Sequence, residues 1–162
     1  MSSYLQEKIN NSFSYIPLRA TSPYSLLQGA VTMDKISQNC LDYNIPAVAI
    51  VDNNNLFGAL EFCEHMSHKG IQPIIGLDID YVSTLDHSKR LTFLSKSEEG
   101  FKNLNILSTE VNTNNNFLLN TNNIKDYANG NILILGGLYS YFEDISINKK
   151  NLNKVLNEIK NL

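Results

Sequence analysis

Three segments lie at or just past the ends of short apolar runs in this chain. They are Arg19-Ala20-Thr21-Ser22, Asp52-Asn53-Asn54-Asn55 and Gly76-Leu77-Asp78. The carboxylates of Asp52 and Asp78, with the amides of Asn53–Asn55, offer oxygen donors for a metal or polar groups for a phosphate. The plainer reading of residues 52–55 is a polar loop with an asparagine N-cap, and it is the expected one.

Other groups with reactive side chains lead less far. Cys63, His65 and His68 lie close in sequence. On a helix His65 and His68 share a face, but Cys63 falls on the apolar stripe, so an exposed polar face is expected rather than a metal site. His87 is a lone loop histidine. Gly136-Gly137 lacks the surrounding pattern of a phosphate-binding turn and reads as an ordinary strand-to-loop turn. Tyr15 and Tyr24 flank the first polar segment. Without interleaved basic residues, packing is expected of them rather than base stacking. No Ser-His-Asp or Cys-His arrangement emerges from the spacing.

The elements that must position the three segments follow from periodicity. Residues 15–20, 47–51 and 73–79 are apolar and short, and amphipathic stretches separate them. Strand, helix, strand, helix, strand predicts an α/β fold with a mostly parallel sheet, whose chemistry sits at the carboxyl ends of the strands. Pro17 removes a ladder donor, so the first strand should lie at an edge or be irregular there. Thr32 is the expected N-cap of a helix carrying Met33, Ile36, Cys40 and Leu41, which Asn44-Ile45-Pro46 ends. Leu56, Ala59, Leu60, Cys63 and Met66 form the next predicted stripe, ended by Gly70. Residues 73–79, interrupted by Gly76, and 90–95 read as strands joined by a polar turn over 83–89, which suits a hairpin. Phe101, Leu104, Leu107 and Val111 mark a third helix. Residues 112–123 read as a polar loop, 132–135 as a fifth strand and 152–162 as a last amphipathic helix.

The totals bound what the chain does. Its 162 residues suit one domain, and 43% hydrophobic with 18% charged residues are globular values. A net charge of −3 supplies no basic field, so direct nucleic-acid binding is not expected. No apolar run spans a bilayer, and residues 1–12 lack the apolar core of a signal peptide. Cys40 and Cys63 form no metal or redox spacing and fall on predicted apolar helix faces, which points to reduced thiols in a cytoplasmic protein.

Residues 13–82 resemble the start of the polymerase and histidinol phosphatase (PHP) domain at the amino terminus of bacterial DNA polymerase III alpha subunits. The residues that carry the resemblance are Ser25-Leu26-Leu27-Gln28-Gly29-Ala30, Pro46-Ala47-Val48-Ala49-Ile50, Asn55-Leu56-Phe57-Gly58-Ala59-Leu60-Glu61-Phe62 and Gly70-Ile71-Gln72-Pro73-Ile74-Ile75-Gly76. Weaker likeness continues through Leu91-Thr92-Phe93-Leu94, through Glu99-Gly100-Phe101-Lys102-Asn103-Leu104 and through residues 131–137. The resemblance implies the first part of a distorted, TIM-like β/α barrel, with residues 1–12 as a polar lead-in and 13–162 as a partial PHP domain.

It also implies a metal site and puts that site in question. Metal-binding members carry His-x-His after the first strand, Thr-Asp-His after the second and Gly-x-Glu after the third. The matching positions here are Arg19 and Thr21, Val51-Asp52-Asn53, and Gly76-Leu77-Asp78; Gln28 stands where an acidic residue often precedes a glycine. Arginine has no lone pair to give a metal, and threonine and asparagine replace imidazole poorly. Only Asp52 and Asp78 keep ligand chemistry. The expectation is a degenerate site without catalytic residues or bound metal, in which Arg19 sits near both carboxylates and replaces the missing positive charge.

On this reading the chain is a non-catalytic segment of a replicative polymerase. It supports the polymerase body and offers a docking surface to the proofreading exonuclease subunit, through helix faces carrying Glu61, Glu64 and His68 or the loop at 112–123. One alternative is a metal-dependent phosphoesterase or 3′–5′ exonuclease using zinc or manganese at Asp52 and Asp78. Another is the product of a shortened polymerase gene, which the predicted helix running to Leu162 without a C-cap also fits.

Overall fold

The computed structural model describes residues 15–82, 88–113 and 119–135, together with 153, 154, 156, 157 and 160. Helix α1 spans Met33–Asp42, β1 Ala47–Asn53, α2 Ala59–His68, β2 Gln72–Val82, β3 Ser88–Ser95, α3 Glu98–Thr113, β4 Leu119–Asn120, α4 Thr121–Lys125 and β5 Asn131–Ile134. The lead-in at 1–12, His87, Gly136-Gly137 and most of the predicted last helix lie outside the described residues.

Local chemistry sets the helix ends. Thr32 Oγ1 accepts the Lys35 N–H at 3.4 Å, and Asp34 lies in the positive first turn of α1. The same helix stops where Asn44 turns left-handed at φ 52°, and the Ile45 N–H reaches back to the Cys40 carbonyl at 2.8 Å. That closure satisfies carbonyls the helix leaves open. Helix α2 ends the same way, with Gly70 at φ 73° and Ile71 N–H on Met66 O.

The sheet runs β1-β2-β3-β5, and β4 pairs with β2 beyond the end of β1. β1 and β4 lie parallel to β2, whereas β2–β3 and β3–β5 are antiparallel. The expected mostly parallel sheet is therefore corrected to a mixed one. The predicted hairpin is the cause, because two strands joined by a tight turn must run antiparallel.

The first predicted strand also changes. Residues 15–20 keep a single parallel bridge, Ala20 to Ile50. Three bonds tie this segment to β1: Ala49 N–H to Pro17 O, Ala20 N–H to Ala49 O and Val51 N–H to Ala20 O. The segment lies at the sheet edge and is irregular at the proline, which offers no N–H to a ladder. The third predicted strand does not break at Gly76. It continues through to Val82, because a Cβ there would stand 2.6 Å from Leu94 Cδ2 and 2.8 Å from Val51 Cγ2. Glycine lets three strands close up at that point. The polar loop expected at 112–123 begins with the last turn of α3 and ends in β4 and the start of α4.

Three apolar clusters hold the sheet, of which Ala49, Val51 and Leu94 form the smallest. Leu77, Ile79, Tyr81, Leu91 and Phe93 pack under Leu104, Leu107 and Val111 of α3. Val48 and Ile50 pack under Met33, Ile36 and Cys40 of α1 and under Phe62 and Met66 of α2. Leu60 lies outside that core at 72% exposure, and Cys63 is half-buried, so the apolar face of α2 turns on Phe62 rather than on Leu60. Among the described residues no helix is long and apolar enough to cross a membrane.

Candidate functional site

Alternation along β2 decides what reaches the site. Leu77, Ile79 and Tyr81 point into the α3 layer, so Gly76, Asp78 and Asp80 emerge on the opposite face. The register then sets Asn53 beside Asp78, Asp78 beside Thr92, and Asp80 beside Arg90. Arg19 arrives from the edge segment bridged to β1. A cleft of about 450 Å³ opens there, lined by Arg19, Thr21, Leu27, Gln28, Val51, Asn53, Asp78 and Arg90.

Asp78 is 3% exposed and has a donor on each oxygen. Thr92 Oγ1 donates to Oδ1, and Arg19 Nη2 donates to Oδ2 in an ion pair. Burial pushes the Asp78 carboxyl above the usual carboxylate range, and the Thr92 hydroxyl and Arg19 guanidinium pull it part of the way back.

Asp52, also 3% exposed, is held by different groups. Its Oδ1 accepts the Ser22 N–H at 2.9 Å and the Ser25 hydroxyl at 2.7 Å, and its Oδ2 accepts the Ser22 hydroxyl at 2.7 Å. Ser25 Oγ in turn accepts the Asn53 N–H at 2.9 Å. Asp52 thus ties the loop after residue 20 to the end of β1. Of the two carboxylates that Arg19 was expected to sit near, it pairs with Asp78, while Asp52 is bonded by the two serines.

A second ion pair lies one rung further along. Arg90 Nε donates to Asp80 Oδ1 at 2.9 Å, and its Nη1 donates to Gln28 Oε1 at 2.8 Å. Asn54 stands at φ 55°, with its N–H on the Asp78 carbonyl at 2.7 Å and its Oδ1 accepting the Asp80 N–H at 3.0 Å. Asn55 Oδ1 accepts the Phe57 N–H at 3.1 Å. The expected polar loop with an asparagine N-cap is therefore corrected: Asp52 and Asn53 end β1, Asn54 and Asn55 turn the chain, and Gly58, which makes no side-chain bond, is the N-cap of α2. Thr21 lines the cleft without ligating anything described. Away from the cleft, His65 Nε2 pairs with Asp34 Oδ1 at 2.9 Å, which links α2 to α1; Cys63 and His68 do not join it.

Arg90, Asp80, Thr92 and Ser25 had no role expected from the sequence, and Ser22 stood only as the last residue of the first segment. The alternation of Asp78 with Asp80 and of Arg90 with Thr92 across the predicted hairpin was a usable signal for three of them. Nothing local marks Ser22 and Ser25 as partners of a residue 30 and 27 positions away.

The donor set can be compared with what a catalytic divalent ion requires. Such an ion takes several carboxylate, imidazole or water ligands and tolerates no fixed cation among them. Here one guanidinium occupies an oxygen of Asp78, a second lines the same cleft, and the oxygens of Asp52 face serine donors. The buried Asn53 Oδ1 has no hydrogen-bond partner and is the one oxygen of this cleft in that state among the described residues.

Residues 17–162 match the PHP domain, and the chain belongs to the PHP domain family. The chain is 37% identical over 101 residues to DNA polymerase III subunit alpha of Rickettsia felis, covering 62% of this chain and 8% of that protein. It is 33% identical over 135 residues to the same subunit of Buchnera aphidicola, covering 78% and 12%. The subunit of Chlamydia pneumoniae is 31% identical over 148 residues, covering 83% and 12%. The chain therefore spans about a tenth of the length of the curated relatives it matches. Among solved structures, an amidohydrolase from Chromobacterium violaceum, with bound sulfate and no metal, aligns with TM-score 0.49 at 19% identity, over 59% of this chain and 32% of that one.

Proposed function

We propose that this chain is the PHP segment of a DNA polymerase III alpha-type polypeptide, in which protein groups take the place of a metal centre. The observation that carries this reading is the ion pair of Arg19 with Asp78, at a position where the family resemblance puts an imidazole ligand. A guanidinium supplies positive charge and directed donors but binds no hydroxide and activates no water. The segment then works as a support: Arg19, Ser22 and Ser25 join the carboxyl end of β1 and the middle of β2 to the edge segment and the loop after it. Its partners are the polymerase body and, at a surface still to be assigned, the proofreading subunit, in a cytoplasmic replication assembly. It makes no direct contact with nucleic acid and performs no hydrolysis itself.

The test is turnover. The purified chain is incubated with p-nitrophenyl phosphate and with a single-stranded oligonucleotide, each with added zinc or manganese. No release above buffer is expected. Release that Asp78→Asn abolishes overturns the reading.

A second reading, a metal-dependent phosphoesterase or 3′–5′ exonuclease of the PHP family, has one observation in its favour. The unpartnered Asn53 Oδ1 lies in the same cleft as Asp78 and is an oxygen suited to a cation. It would require Arg19 to leave Asp78, and the turnover assay separates the two readings.

A further inference from the structure

The hydrogen bonds that hold Asp52 have an outward consequence. They fix the turn at residues 22–29, closed by Ser25 N–H on Ser22 O and by the Gln28 and Gly29 N–H groups on Ser25 O. Its two central residues are leucines. Leu26 is 82% exposed, and Leu27 is fully exposed with φ 62°, the left-handed region that an L-leucine seldom adopts. A strained, rigid turn that lifts two large apolar side chains into water gains nothing for the fold of the segment that carries it.

The leucines are not isolated. Tyr24 precedes them, and a Cβ on Gly58 would stand 3.0 Å from its Cδ2, so the ring lies against the start of α2. Its hydroxyl donates to Glu61 at 3.0 Å, which fixes it there. Phe57 and Leu60, on either side of that contact, are each 72% exposed. Tyr24, Leu26, Leu27, Phe57 and Leu60 thus present exposed apolar surface, and Leu27 also lines the cleft.

We infer that this patch is the surface on which the polymerase body of the chain's own polypeptide docks, with Leu26 and Leu27 entering an apolar groove of that body. The inference rests on the reading of the chain as a segment of a polymerase III alpha-type polypeptide. What favours this occupant is length: the matched region is 8–12% of the relatives, so nine-tenths of such a polypeptide stands ready to cover it. The turn is preorganised, so docking requires little further ordering, and apolar anchors on rigid backbones carry most of an interface's affinity.

The test uses the full natural polypeptide, without the proofreading subunit, carrying Leu27→Cys. The reaction of that thiol with N-ethylmaleimide is followed by peptide mass spectrometry, native and in urea. At least tenfold slower native reaction is expected, unchanged on hundredfold dilution. Reaction within twofold of the unfolded rate overturns the proposal. So does protection that dilution removes, which would mark a second copy, or protection that appears only when the proofreading subunit is added. Sequencing the coding DNA past Leu162 keeps the two claims apart. Without a polymerase body both fall; with one, an unprotected Leu27→Cys sinks the docking surface alone.

Discussion

Arg19 and Asp78, 59 residues apart in sequence, form an ion pair between the edge segment and the middle of β2, and Thr92 holds the other oxygen of the same carboxylate. This relationship links an irregular edge segment to the centre of the fold, so its removal should be felt both in stability and in its pH dependence.

Arg19→Leu should destabilise the chain by about 2 kcal/mol at neutral pH, since it strands a buried carboxylate with one remaining donor. The sign with pH follows from the raised Asp78 pKa. The folded state holds this proton more tightly than the unfolded state, so the contribution of Asp78 is most favourable at low pH and is lost as pH rises through the folded pKa. Without Arg19 that pKa moves further up. The deficit of the variant should therefore be largest near neutrality and shrink on acidification toward the ordinary carboxylate range. Urea unfolding of both proteins across that interval measures it; a deficit independent of pH contradicts the account.

Asp52→Ala removes the acceptor of three hydrogen bonds and leaves two buried serine hydroxyls in need of partners. A loss of about 3 kcal/mol is expected, with Asp52→Asn costing less because one acceptor oxygen stays. Hydrogen exchange at the Ser22 amide should accelerate in both variants, more in the alanine one. Unaltered exchange there would mean that the loop is held by something else.

The phase of α2 can be tested directly. Phe62→Ala should cost about 3–4 kcal/mol and Leu60→Ala less than about 0.5 kcal/mol, because Phe62 is fully buried and Leu60 is mostly exposed. Comparable losses would show that the helix face is rotated from the one described.

Gly76→Ala should lower stability by about 2 kcal/mol, read as a reduced urea midpoint with the m-value unchanged. Its Cβ would meet Leu94, Phe93 and Val51 all within 2.8 Å, two of them side chains already packed in a closed sheet. An undiminished midpoint would mean that the strands part more easily than their register implies.

Much of this fold was legible because single residues carried strong signals. Ala47–Asn53 is buried along almost its whole length, as a continuous apolar run requires, and Thr32, Asn44 and Gly70 mark helix ends by their own backbone chemistry. The phase of α2 was misread because Leu60 and Phe62 both fit a helical stripe with Ala59 and Met66, and packing on β1 decides between them. The segment at 15–20 has strand composition, yet Pro17 and the sheet edge leave it a single bridge. At the site, Arg19, Asp52 and Asp78 stood out because each lies at or just past the end of an apolar run. The partners Thr92, Ser22 and Ser25 did not, because a hydroxyl carries no sign of which distant carboxylate it will meet.

Calorimetric titration of zinc and manganese into the metal-stripped chain, near neutral pH, tests the central claim most directly. No heat of binding is expected up to millimolar metal, because Arg19 and the serines already occupy the carboxylates that a metal would need. A stoichiometric micromolar site, lost in Asp78→Asn, would contradict it.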